Sequence, residues 1–319
     1  MQRETDVIVR EVGLRDGLQI HPTFMSTECK LAWIRAETQA GVREIEVTSY
    51  VPPRLIPQFA DAEDVTRGAL GMRGLTVAAL IPNGRGAQRG VDLGVHKLNF
   101  VMSVSRTHNQ KNVRRERDES VADFRQIAAM IQALPAGARP RLVGGLATSL
   151  GCSYEGPIPV DDVARYATLL AEAGADELTI ADTVGYGDPA QVRRVFKAVR
   201  AAVGDAMPVA AHFHDTRGLG LANVAAALDC GIRRFDASLA GIGGCPFAPG
   251  ASGNIVMEDL CFLLESMGLD TGVDIEALIA IRAQVQDAMP DIQMHGALAR
   301  AGLPRGYRPA SAAPQEPAR

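Results

Sequence analysis

The sequence predicts an α/β fold: a (β/α)8 TIM barrel with a short C-terminal helical extension. Three observations carry this. Short β-branched runs alternate with segments of helical period eight times along the chain. No Gly-x-Gly-x-x-Gly follows the first run, which argues against a doubly wound open sheet. The runs also end repeatedly in acidic, basic or histidine side chains, as expected of a barrel with its site at the C-terminal ends of the strands. The barrel is expected over residues 1–270 and the helical extension over 271–303. A flexible tail rich in Pro, Ala and polar residues should occupy 304–319.

Taken in order, Asp6 to Gly13 is a β-branched run closed by glycine, hence a strand. Ser26 or Thr27 caps a helix carrying Leu31 and Ile34 that stops at Gly41. Glu44 to Val51 is the second strand, and Pro52, Pro53 and Pro57 bound the loop before a helix near 58–70. Leu75 to Ile81 is the third strand, followed by a weaker glycine-rich helix over 84–94. Lys97 to Val104 is the fourth. A polar segment over 105–118 precedes a helix near 119–134, and Arg141 to Ala147 is the fifth strand. Val160, Val163, Ala167 and Leu170 fall at helical spacing before Gly174 and the sixth strand, Glu177 to Asp182. Asp188-Pro189 is an N-cap with proline at the first helical position. Pro208 opens the seventh strand, which ends in His212 and His214. A helix over 218–230 leads to the eighth, Arg234 to Ala240. Helices near 254–267 and 273–290 complete the chain.

Composition narrows the function classes. The chain has 319 residues, 47% hydrophobic and 22% charged, which suits one large globular unit. Net charge is −4 with no long basic run, so nucleic acid is not an expected partner. The five cysteines form no Cys-x-x-Cys pair, which favours a reducing compartment. The polar N-terminus and the lack of a spanning apolar run argue against membrane insertion, leaving a cytoplasmic location as the expectation.

The sharpest local feature is Val209-Ala-Ala-His212-Phe-His214-Asp215-Thr216. Two histidines two apart on a strand share a face, and at a strand's C-terminal end they form half of a metal site. Candidates for the rest lie at other strand ends: Glu11, Arg15, Asp16, Glu46, Asp182 and the glycine-rich run from Gly241 to Asn254. A mixed site of carboxylate, imidazole and neutral oxygen, without thiolates, favours Mg²⁺ or Mn²⁺ with positions left for substrate. Such an ion lowers the pKa of a chelated hydroxyl and suits carbon–carbon bond chemistry beside a carbonyl. Cys245 alone would read as a packed small residue, but its glycine-rich setting is unlike a core.

Several long motifs together resemble the 3-hydroxy-3-methylglutaryl-CoA lyase family, relatives of isopropylmalate and homocitrate synthases. They are Glu11-Val-Gly-Leu-Arg-Asp-Gly-Leu-Gln19, Ile45-Glu-Val-Thr-Ser49, Leu150-Gly-Cys-Ser-Tyr-Glu-Gly156, Asp182-Thr-Val-Gly185, His212-Phe-His-Asp-Thr216 and the run from Gly243 to Asn254. The resemblance implies Asp16, His212, His214 and Asn254 as metal ligands, and Arg15 as the group that polarises a thioester carbonyl. It implies Cys245 as general acid, Glu46 as support for the substrate hydroxyl region, and Asp182 as a residue that orients a ligand. Asp16 and His212 are the candidates for removing the hydroxyl proton. Asn112 and Tyr154 would lie on the CoA side, with Arg114 and Arg115 as phosphate partners. The implied reaction is cleavage of a tertiary 3-hydroxyacyl-CoA to acetyl-CoA and a keto acid, by an enzyme expected to be a homodimer. The substrate would be 3-hydroxy-3-methylglutaryl-CoA or, as an alternative, (R)-citramalyl-CoA or a longer 3-hydroxyglutaryl-CoA. Ile20-His21-Pro22 departs from the family's Asn-Glu-Lys, which alters one corner of the expected CoA surface.

Three rivals stand against a lyase. A condensing synthase would usually carry a longer C-terminal region and lack Cys245. A Schiff-base aldolase would need Lys97, which falls at the wrong end of its strand. A non-catalytic binding protein would have lost ligands that are all present here.

Overall fold

The computed structural model describes residues 5–243 and 253–312. Eight parallel strands close in chain order, and β1 pairs with both β2 and β8. They are β1 Ile8–Glu11, β2 Glu44–Ser49, β3 Thr76–Ile81, β4 Lys97–Ser103, β5 Arg141–Ala147, β6 Glu177–Asp182, β7 Val209–Phe213 and β8 Arg234–Ala237. The helices are α1 Thr27–Gln39, α2 Ala62–Leu70, α3 Gly84–Leu93, α4 Arg106–Val113, α5 Arg117–Gln132, α6 Val160–Glu172, α7 Pro189–Val203, α8 Gly220–Leu228, α9 Met257–Ser266, α10 Ile275–Ala288 and the short α11 Leu298–Ala301. The barrel expected from the sequence is present. No helix among the described residues is long and apolar enough to cross a membrane.

Local chemistry sets the helix limits. The Ser26 hydroxyl accepts from the Cys29 amide at 3.2 Å. Asp188, ahead of Pro189, accepts from the Ala190 and Gln191 amides at 2.8 and 2.9 Å. Gly41 ends the α1 connection at φ 103°, where a Cβ would strike the Gly272 carbonyl oxygen at 2.1 Å. One element was not expected. The polar segment from residue 105 folds as α4, capped by the Ser105 hydroxyl on the His108 amide at 3.1 Å. Only His108 and Asn109 of this helix are buried, so it carries no apolar stripe to reveal it.

The barrel floor is charged. Glu44, Lys97, Glu177 and Arg234 are the first residues of β2, β4, β6 and β8. Lys97 Nζ meets Glu44 at 2.6 Å and Glu177 at 3.0 Å, and Arg234 lies 3.7 Å from Glu177. Arg10 of β1 sits above them, against Glu177, Glu44 at 3.6 Å and Asp236 at 2.5 Å. Layers contributed by alternate strands are the packing rule of this fold, and here one layer is ionic instead of aliphatic. This engages Lys97 at the end of the barrel away from the cavity described below.

Beyond the barrel, α10 packs beside α1. Residues 304–312, expected within the flexible tail, lie against α9. The Tyr307 ring is 5.8 Å from Phe262, and the Ala310 amide donates to Glu265 at 2.6 Å.

Candidate active site

At the C-terminal ends of the strands a cavity of about 670 Å³ opens, lined by residues of every strand or the loop that follows it. Its floor is built by the first, second, seventh and eighth strands. β1 stops at Glu11, and the chain turns at once into a π-helical turn, Gly13–Gly17, that carries Arg15 and Asp16. The sequence reading extended this strand to Gly13. Glycine is required there because a Cβ would lie 2.6 Å from both Glu11 Oε1 and Ser238 Oγ. Glu11 is drawn away from the cavity: it accepts from the Gly13 amide and from the Leu239 amide at 2.8 Å, bracing β1 to the segment after β8.

Asp16 divides its two oxygens. Oδ1 accepts from Arg15 Nη1 at 2.7 Å and Gln19 Nε2 at 2.8 Å, while Oδ2 faces His214 Nε2 at 3.3 Å and Asn254 Nδ2 at 2.8 Å. Burial would raise this carboxyl, but the Arg15 charge and the histidines outweigh it and hold Asp16 well below the usual carboxylate range. Glu46, on β2, takes Arg15 Nε on one oxygen and Asn99 Nδ2 at 2.8 Å on the other. The guanidinium is thus locked between two carboxylates at the cavity wall.

His212 and His214 share the inner face of the end of β7, as their spacing requires. Their Nε2 atoms are 3.1 Å apart, and Asp16, His212 and His214 each offer a ligand atom within 4.8 Å of the others. Asn254 returns from a distant part of the chain through a backbone bridge to His214. Among the described residues its buried Oδ1 has no partner, and neither has His214 Nδ1. A carboxylate, two facing imidazole Nε2 atoms and an amide oxygen unpartnered among the described residues are a donor set that fits a divalent cation.

Other expected residues are placed as follows. Asn112 lines the outer cavity on α4, with Lys111, Arg114 and Arg115. Arg115 is engaged by Asp123 at 3.1 Å, whereas no ion pair among the described residues involves Arg114. Tyr154 is not in the cavity wall. Its ring lies 6.2 Å from His108 and under Lys111 Nζ at 5.0 Å, so it supports α4 from behind. Residues 20–22 do not line the cavity either. The Asp182 oxygens accept from the Tyr186 and Gly187 amides, both at 2.9 Å, which stabilises the turn after β6, and the carboxylate feels the charge of His214 and His212. Cys245 falls within 244–252, outside the described residues. The residues on either side of that segment meet closely. A Cβ on Gly253 would lie 2.5 Å from Gly241 O and 2.9 Å from the Gly243 carbonyl carbon.

Three residues were missed by sequence reading. Asp236 of β8 contacts His212 Nδ1 at 3.1 Å, Arg10 contacts Asp236, and Asn99 supports Glu46. The signal was available: a carboxylate flanked by Phe235 and Ala237 inside a strand is costly unless paired. Burial would lower the His212 imidazole, but the hydrogen bond and charge of Asp236 push it up. His108, on the unexpected helix, also lines the cavity, and burial pushes its imidazole down to about 4.

Comparison with known proteins agrees with this geometry. The family model described as HMGL-like matches residues 6–285. A hydroxymethylglutaryl-CoA lyase of Bacillus subtilis is 41% identical over 283 residues, covering 89% of this chain and 93% of the relative. The mitochondrial hydroxymethylglutaryl-CoA lyase of Macaca fascicularis is 38% identical, covering 86% and 82%. Among solved structures, an HMG-CoA lyase from Acinetobacter baumannii in complex with coenzyme A and 3-methylmalate superposes with a TM-score of 0.88. It is 39% identical, covering 97% of this chain and 99% of that one.

Proposed function

The chain belongs to the HMGL-like family, and on that premise we propose that it is a carbon–carbon lyase that cleaves 3-hydroxy-3-methylglutaryl-CoA to acetoacetate and acetyl-CoA. The observation that carries this is the convergence of Asp16, His212 and His214 beside Arg15 on the floor of a cavity large enough for an acyl-CoA head. The family is metal-dependent, and Asp16, His212, His214 and Asn254 would hold the ion, for which Mg²⁺ or Mn²⁺ suits the donor set. When bound, the ion supplies Lewis acidity to the substrate's tertiary hydroxyl.

The remaining steps fall to this chain's side chains. The hydroxyl proton passes to a base, Asp16 or His212. The C2–C3 bond breaks, the former carbinol carbon becomes the ketone of acetoacetate, and the electron pair moves into the thioester as an enolate. Arg15, held rigid by Glu46 and Asp16, places its charge where the enolate oxygen develops. Cys245 delivers the proton that completes acetyl-CoA. Asn112 and the exposed Arg114 flank the outer cavity, where the CoA moiety enters. The chain is expected to work in the cytoplasm as a homodimer, which light scattering on the purified protein would test.

Purified protein should be offered 3-hydroxy-3-methylglutaryl-CoA, (R)-citramalyl-CoA and longer 3-hydroxyglutaryl-CoA esters, with products identified by mass. EDTA should abolish cleavage, and Mg²⁺ or Mn²⁺ should restore it. Preference for another ester would move the substrate assignment. Net release of CoA from acetyl-CoA plus a keto acid would replace the lyase with a condensing synthase.

A further inference from the structure

His212 and His214 are held in different ways. His214 is fixed through its backbone, by the bridge to Asn254, and its Nδ1 has no partner among the described residues. His212 is fixed through its ring: Nδ1 lies 3.1 Å from Asp236 Oδ2. The other oxygen of Asp236, Oδ1, accepts from Arg10 Nε at 2.6 Å and lies 2.5 Å from Nη2. Arg10 is held in turn by Glu177 and, at 3.6 Å, by Glu44. These groups come from β1, β2, β6 and β8, and every one is buried or nearly so. A guanidinium does not deprotonate in a protein, so the oxygen pair opposite it is a carboxylate, and a carboxylate only accepts. The hydrogen on the His212–Asp236 contact therefore belongs to Nδ1, so in the neutral ring that binds a metal the lone pair is on Nε2, the atom that faces His214 Nε2 and the Asp16 side of the cavity.

We propose that Arg10 and Asp236 are positioning residues of the metal centre. The ionic layer under the cavity fixes His212 in the Nδ1–H tautomer and turns its Nε2 toward the ion, while His214 is set independently by the chain. This inference rests on the metal-site reading above and extends it to two residues outside the proposed ligand set. Such outer partners orient a ligating imidazole and raise its basicity, and their loss commonly weakens metal binding about 10–100-fold.

The test uses the full chain and two readouts. Ring ¹⁵N shifts of the metal-free protein report which nitrogen of His212 carries the proton, and calorimetric titration with Mn²⁺ reports affinity. At a pH where the ring is neutral, His212 of the wild type should be Nδ1–H. In Asp236→Asn the amide oxygen is retained by Arg10, and its NH₂ faces the ring, which forces the proton to Nε2. Mn²⁺ affinity should then fall about 10–100-fold, with the His214 shifts unchanged. Arg10→Lys, which keeps charge but loses the fork, should give a smaller loss. A folded Asp236→Asn protein with wild-type Mn²⁺ affinity would overturn the proposal. So would an Nε2–H tautomer in the wild type, which decides the matter even if the variant does not fold. Absence of Mn²⁺ binding by the wild type would instead remove the metal-site reading, and the tautomer measurement would still decide whether Asp236 sets the ring.

Discussion

Replacing Glu177 with glutamine tests whether the barrel floor is held by charge. Glu177 is fully buried and serves three cations: Arg10, Lys97 at 3.0 Å and Arg234 at 3.7 Å. Its layer, counted with Arg10 and Asp236, is neutral, with Arg10, Lys97 and Arg234 against Glu44, Glu177 and Asp236. Glu177→Gln leaves three cations facing two anions. Coulomb energy at 3.0 Å with an effective dielectric near 20 is about 5 kcal/mol for one pair. Desolvation offsets much of this, and measured losses on deleting one partner of a buried pair are about 3–5 kcal/mol. Glutamine keeps one acceptor oxygen, so a loss of about 3 kcal/mol is expected, a fall in Tm of roughly 4–5 °C. Urea and thermal unfolding followed by circular dichroism measure it. The double variant Glu177→Leu, Lys97→Met restores charge balance and should recover much of the loss, because a buried pair can often be exchanged for apolar residues at little cost. A shift below about 1 kcal/mol in the single variant, or no recovery in the double, would refute an ionic floor.

Three further outcomes follow from the site. Gly13→Ala sets a Cβ 2.6 Å from two oxygens and should cost about 1–3 kcal/mol, with lower kcat because the turn carrying Arg15 and Asp16 shifts; an unchanged Tm counts against it. Burial pushes Glu11 from 4.5 to about 7. Below pH 4.5 folded and unfolded chains both hold this proton; above it the unfolded chain releases the proton first, so stability falls as pH rises toward 7, and the neighbouring Glu37, pushed up by the same burial, adds to the fall. Glu11→Gln should flatten that fall, and an identical slope in the variant would remove Glu11 from it. Cys245→Ala should lower kcat by about 10²–10⁴ as expected for loss of a general acid, with Mn²⁺ affinity intact; normal turnover would exclude Cys245 as the proton donor.

Strand and helix alternation was legible because each strand run is apolar and each helix has a stripe. The helix α4 was not, since a helix that buries only His108 and Asn109 looks like a loop. Arg15, Asp16, Glu46, His212 and His214 were legible because strand-end position alone brings them to one mouth, and the structure places them there. Asp236 and Arg10 were not, because each sits inside a strand and gains meaning only from partners on other strands. The bonds that Asp182 makes to the turn after β6 were not legible either. A strand-end carboxylate can serve a turn's amides as readily as an ion, and only geometry tells the two apart. Tyr154 belongs to a long motif, yet its ring stands outside the cavity wall.

The close approach of Gly243 and Gly253 has an evolutionary reading. The barrel's hydrogen bonding is complete on both sides of that junction: Asp215 N meets Gly253 O at 2.9 Å, and Ile255 N meets Phe213 O at 3.1 Å. Gly243 and Gly253, which bound the stretch bearing Cys245, are thus held against each other by contacts of the barrel itself. Doubling the length of such an insert adds only about 0.6 kcal/mol of closure entropy. A change of length between Gly243 and Gly253 can therefore leave Asp16, His212, His214 and Asn254 where they are. In descendants of this chain the proposed proton donor and the proposed metal ligands are free to vary independently.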